Sequence, residues 1–191
     1  RDIICGYGEI LKHSLIDNQK LFDFLNKNLE KILNLSSPFI EKAVYESCKI
    51  KKKVVEKDEK ETALRKVLNL GHTFAHAYEA GLGYSHKLNH GEAVILGMKT
   101  ALNFSLRENM LSKSEYNLII NHIDNSGLPS SIKKYFSIKD LNKILSFMIK
   151  DKKNNSEKIN LVLLKKIGKP IINKQYPKKK LVLFLKKILT N

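Results

Sequence analysis

The chain has 191 residues, with 35 Lys and Arg against 19 Asp and Glu, for a formal net charge of +16. That length supports a substantial core, and 42% hydrophobic with 28% charged residues excludes wholesale disorder. Two cysteines, Cys5 and Cys48, exclude a disulfide scaffold, and no run of about 18 apolar residues is present to cross a membrane as a helix.

Apolar residues recur at three and four rather than two, so the chain reads as mostly α. Residues 7–17 predict a first helix, and 19–34 continue helically through Leu21, Phe22, Leu25, Leu29, Ile32 and Leu33. Ser36-Ser37-Pro38 is a break and a new helix start, with Ser at the cap and Pro in the first turn. A long helix follows over 38–56, then the charged stretch from Glu56 to Glu61 as a solvated turn or a rim carrying function. Residues 64–80 predict one helix, ended by Gly81, Gly83 and Tyr84. Gly91 to Glu108 is a buried helix rich in small residues. Ser112 or Ser114 caps the next, to about Asn125, and Ser137 precedes another over 139–150. Residues 159–164 read as a strand, 171–172 as a second extended piece, and Lys178–Leu189 as a short basic helix.

The charge invites a nucleic-acid reading, but only three basic residues are arginines and the other 32 are lysines spread along the chain. Arginine carries most bidentate base and phosphate recognition, so neither nucleic acid nor a membrane is expected as a partner. The basic apolar tail is the best support for the rival reading, a helical binding module; a helix closing the core is preferred. The first residue is Arg1 and no signal-peptide pattern follows, so the chain reads as cytoplasmic, and as a fragment with an N-terminal part missing.

The densest chemical signal runs from Arg65 through Asn69, Gly71, His72 and His76 to Glu79. On a helix His72 and His76 share a face, and Asn69 and Arg65 extend it by a turn each. His90-Gly91-Glu92 follows, with a histidine at a helix start and a glycine that lets backbone approach a ligand. Near the N-terminus Glu9, Lys12 and His13 occupy about one turn. Two histidines and a carboxylate from three elements suit a divalent metal, since catalytic zinc commonly takes three protein ligands and keeps one position open. His86 and His122 read as exposed imidazoles, Cys5 and Cys48 as small buried residues, and Gly97 and Met98 as helix-packing positions.

Asn69-Leu-Gly-His72-Thr-Phe-Ala-His76, followed by His90-Gly-Glu-Ala-Val and Gly97-Met98, resembles 3-dehydroquinate synthase. Glu9-Ile-Leu-Lys12, the stretch Lys51–Arg65, and Asp151-Lys152-Lys153 with Leu161–Leu164 match further blocks in the same order. Ala63, Ala75 and Asn89 depart from the family pattern without removing a ligand or charge. The resemblance implies the multi-helical C-terminal domain of that fold, with a small strand pair, spanning 1–191 as the metal- and substrate-binding half. Its partner would be an N-terminal NAD-binding domain, and a homodimer is one assembly this reading allows.

The family converts the sugar phosphate 3-deoxy-D-arabino-heptulosonate 7-phosphate to 3-dehydroquinate and phosphate, on the shikimate route to chorismate and aromatic amino acids. The resemblance implies a phosphate-eliminating lyase that uses NAD and zinc or cobalt. It implies Glu9, His72 and His90 as metal ligands, with His76 and Glu61 as proton acceptors. Lys12, Lys51, Arg65, Asn69 and Lys152 (or Lys153) would hold the substrate. The rivals within the fold are a sister sugar phosphate cyclase and a metal-dependent polyol dehydrogenase, the latter having no need of a phosphate cage.

Overall fold

A computed structural model describes residues 2–129, 131–150 and 158–190. Among these, α1 (Asp2–Asp17), α2 (Gln19–Lys27), α3 (Leu29–Leu33) and α4 (Phe39–Lys57) form the N-terminal part. A 3₁₀ segment, Leu64–Asn69, leads into α5 (His72–Gly81), and α6 (His90–Arg107) and α7 (Lys113–Asn125) follow. After α8 (Leu141–Lys150) come β1 (Lys158–Lys166), β2 (Lys169–Pro177) and α9 (Lys178–Thr190).

The centre of the fold is α6. It is buried along almost all of its length, from Gly91 to Ser105, which its run of apolar and small residues requires. It packs against α5, α1, α7 and β1. Glycines set two of these approaches. A Cβ on Gly91 would meet the backbone of Cys5 on α1, and one on Gly97 would meet the Gly71 carbonyl ahead of α5. Gly91 therefore serves helix packing. Gly97 has the packing role expected of it.

The two extended pieces form an antiparallel hairpin, with Ile159 opposite Tyr176 and Leu163 opposite Ile171. β1 buries Ile159, Leu161, Leu163 and Leu164 and leaves Lys158 and Lys165 out, as a strand with one core face does. The turn residue Gly168 has φ +76° and donates its N–H to the Leu15 carbonyl at 2.8 Å, which ties the hairpin to the end of α1. In α9 the apolar stripe Leu181, Phe184, Leu185 and Leu189 is buried, with Phe184 4.9 Å from the Phe104 ring centroid. The basic tail is thus a helix closing the core.

Several boundaries differ from the sequence reading. The stretch 19–34 is two helices, with Asn28 between them. Pro38 sits at the cap of α4 rather than in its first turn, and the Ser36 carbonyl accepts from Phe39 and Ile40. The stretch 64–80 is not one helix: the chain breaks at Leu70-Gly71, where Gly71 takes φ +81°. A 3₁₀ turn at Ile138–Asp140 precedes α8. Apolar spacing at three and four does not separate a 3₁₀ turn from an α-helix, so the pattern ran through both.

Candidate active site

The break at Gly71 decides how the site is assembled. Arg65 and Asn69 lie on the 3₁₀ segment, so they do not continue the histidine face of α5 turn by turn as expected. The segment folds back toward α1 instead. A cavity of about 210 Å³ is lined by Glu9, Lys12 and His13 of α1, Lys51 of α4, and Glu61, Arg65, Asn69 and His72. All of these but His13 carry a metal, substrate or proton-transfer role in the expectation from sequence. His76 and His90 stand beside it: the His72 ring centroid is 5.4 Å from that of His76 and 5.9 Å from that of His90. Lys152, with Lys153 as its alternative, lies outside the described residues.

A buried cation and a half-buried carboxylate set the electrostatics. Lys12 is 3% exposed, and both Glu9 carboxylate oxygens accept from its ammonium at 2.8 Å. Burial opposes the charge on Glu9, but the Lys12 ammonium outweighs it and holds Glu9 below the usual carboxylate range. Burial also lowers Lys12, against the attraction of Glu9, with Lys51 adding repulsion. His72 is pushed down to about 3, first by burial and then by the Lys12 ammonium, so its imidazole is neutral. His13, buried and 2.7 Å from Ser47 through Nδ1, is pushed down to about 4 for the same reasons.

The rim from Glu56 to Glu61 is organised by a residue the sequence reading passed over. Asp58 is buried, and its carboxylate accepts from the backbone N–H groups of Thr62, Ala63 and Arg65 at 2.8–2.9 Å and from the Thr62 hydroxyl at 3.0 Å. These bonds, that to Arg65 first, hold its carboxyl down to about 2. The turn puts Glu61 at φ +56°, a conformation that costs a non-glycine residue of order 1–2 kcal/mol. There Glu61 accepts from the Asn69 side-chain amide at 2.7 Å, while the Arg65 guanidinium is pinned on the Glu59 carbonyl at 2.6 Å. Glu61 and Asn69 also border a larger cavity of about 630 Å³ that reaches Asn160 and Gln175 on the hairpin.

The donor set has the chemistry a divalent metal needs. The His72 Nδ1–H donates to the Leu70 carbonyl at 3.4 Å, which leaves that neutral ring an Nε2 lone pair, and the His90 Nδ1–H donates to Glu79 at 3.0 Å. Glu9 adds a carboxylate beside His72, close enough to raise that imidazole's basicity. In this structure Glu9 is paired with Lys12, and among the described residues no three His, Cys, Asp or Glu side chains are drawn into a ligating cluster.

Two further readings from sequence are corrected. His122 is 2% exposed and joins the Tyr7 hydroxyl at 2.7 Å to the Asn26 side chain at 3.0 Å, because α7 turns that face onto α1 and α2. Cys48 is exposed and Cys5 half-buried, rather than both buried. His86 is exposed as expected. Asn89, unusual for the pattern, stands at the cap of α6 and donates its backbone N–H to Glu92 at 2.9 Å.

The profile of the 3-dehydroquinate synthase C-terminal family matches residues 6–154. A 3-dehydroquinate synthase from Pelagibacter ubique is 63% identical over 190 residues, covering 100% of this chain and 52% of its own length. One from a Thermoanaerobacter species is 40% identical over 171 residues, covering 88% and 46%. The chain thus spans about half the length of the curated relatives it matches. In fold it is similar to 2-epi-5-epi-valiolone synthase from Streptomyces hygroscopicus, solved with NAD+ and Zn2+ bound, at TM-score 0.83, 18% identity and 97% and 51% coverage. It is likewise similar to 2-deoxy-scyllo-inosose synthase, solved with carbaglucose-6-phosphate, NAD+ and Co2+, at TM-score 0.82, 22% identity and 98% and 52% coverage.

Proposed function

The chain belongs to the 3-dehydroquinate synthase family, and from that premise we propose that it is the metal- and substrate-binding half of an enzyme making 3-dehydroquinate and phosphate from 3-deoxy-D-arabino-heptulosonate 7-phosphate. The rest of the relatives' length would carry the NAD-binding domain. The observation that carries this reading is the single cavity lined by two carboxylates, three cations, an amide and two imidazoles. That is a set matched to a phosphorylated polyol and unusual for a structural crevice.

Glu9, His72 and His90 would hold the divalent ion, zinc or cobalt. When bound, the ion supplies a Lewis acid for the alcohol being oxidised and NAD supplies the hydride acceptor. The chain's own residues do the rest. Lys12, Lys51 and Arg65 surround the phosphate dianion, and the Asn69 amide donates to it. Lys152 is proposed as a further cation. His76, on the His72 face and outside the ligand set, would accept a proton, as would Glu61. A polyol dehydrogenase would not need this phosphate cage.

The test is phosphate release by the full-length protein given the heptulosonate phosphate, NAD and zinc. Stoichiometric phosphate and 3-dehydroquinate, lost on chelation, are expected. Turnover of a different sugar phosphate, with none of this one, would overturn the substrate assignment.

A further inference from the structure

Glu79 has no part in the chemistry proposed above. Glu79 lies in the last turn of α5, on the same face as His72 and His76, and its carboxylate reaches across the loop to the first residue of α6. The His90 Nδ1 is 3.0 Å from Oε1 and 3.2 Å from Oε2. The His90 side chain is 57% exposed and the Glu79 side chain 13%. A ring that open has little packing to fix its rotamer, so this contact is what fixes it.

We infer that Glu79 is the positioning residue of His90: it sets the ring's tautomer and plane, and presents Nε2 toward His72 and His76. A carboxylate can only accept, so Nδ1 carries a proton, and in the neutral ring that leaves the lone pair on Nε2. Two oxygens facing one N–H also resist ring flipping, which would exchange the nitrogens. His72 has only a backbone carbonyl for the same purpose, at 3.4 Å. Its ring, however, is more buried and needs less support. A negative charge behind His90 additionally makes Nε2 a stronger donor to a cation. The inference rests on the reading of His90 as a metal ligand.

The test uses the full-length protein with imidazole nitrogen NMR and cobalt titration. In the metal-free wild type, His90 should carry its proton on Nδ1; a dominant Nε2–H form would overturn the proposal without any variant. Glu79→Ala should mix the tautomers, change the cobalt d–d absorption and weaken cobalt binding by about 10–100-fold. Glu79→Gln, isosteric but able to donate as well as accept, should fall between the two. Wild-type affinity and spectrum in Glu79→Ala, with metal lost in His90→Ala, would overturn the role of Glu79 and leave the metal site standing. If His90→Ala binds cobalt as the wild type does, the metal-site reading fails and the role of Glu79 with it.

Discussion

Gly71 and Gly97 meet backbone to backbone: a Cβ on Gly97 would fall on the Gly71 carbonyl oxygen and lie 2.9 Å from the Ala75 nitrogen. Backbone atoms at both points cannot move aside as a flexible side chain would. The two glycines therefore set the spacing of α5 and α6, the helices that carry His72, His76 and His90.

Gly97→Ala should accordingly destabilise the protein by about 1–3 kcal/mol, the usual cost of overpacking. It should also weaken metal binding, because the strain is released by separating the two helices. Denaturant melts and a zinc assay check this. A variant with wild-type stability would mean that the helices approach less closely than described.

Asp58 gives a different kind of prediction, because it does not itself line the cavity yet fixes Glu61 and Arg65 through their turn. Asp58→Ala should lower kcat/KM by up to about 10²-fold, the scale of a small misplacement of positioning groups. Metal content should be unchanged, since no proposed ligand lies in that turn. Steady-state kinetics with metal analysis separates the two. Loss of metal together with activity would mean that the turn supports α1 as well.

Much of the site was readable in the sequence, for physical reasons. His72, His76, His90 and Glu9 belong to short-range patterns, and helical spacing alone puts the first two on one face. The hairpin was legible because residues 159–164 form a short apolar run against a background of helical spacing. The break at Gly71 was not, since a left-handed glycine between two helical turns leaves the apolar spacing intact. Asp58 and Glu79 were missed because their meaning lies in what they accept from, across four to eleven residues. His122 had a usable signal: it follows Ile119 by three and precedes Ile123, within the buried stripe of α7. A histidine inside an apolar stripe is a buried one with a partner, here Tyr7.

The same burial makes stability depend on pH. Burial holds His122 and His13 down to about 4 in the folded protein, from an ordinary value of 6.5. Between those limits the unfolded chain binds more protons than the folded one, so stability falls as pH falls from 6.5 toward 4. Each pH unit removes up to about 1.4 kcal/mol per imidazole. His122→Gln should be less stable at pH 7, through the lost Tyr7 contact, but should lose less than the wild type on acidification. Urea melts at pH 7 and pH 5, at equal metal content, measure the difference. Parallel losses in the two proteins would show that His122 is not held neutral.

The last prediction separates metal binding from proton transfer on the α5 face. The rings of His72, His76 and His90 lie within 6.4 Å of one another by centroid, so proximity alone assigns no roles. Hydrogen bonding does more. His72 and His90 each commit Nδ1 to an oxygen acceptor, the arrangement that leaves Nε2 for a cation, while Glu9 stands beside His72 as the carboxylate. With those three, a catalytic site keeps its open position for substrate; a fourth protein ligand would close it. His76→Ala in the full-length enzyme should therefore keep its zinc and lose turnover by roughly 10²–10⁴-fold, the range for a positioned acid or base. His90→Ala should lose zinc and turnover together. A zinc assay paired with phosphate-release kinetics on both variants decides it. If His76→Ala comes out metal-free, His76 is a ligand, and the proton acceptor must be sought on the Glu61 side of the cavity.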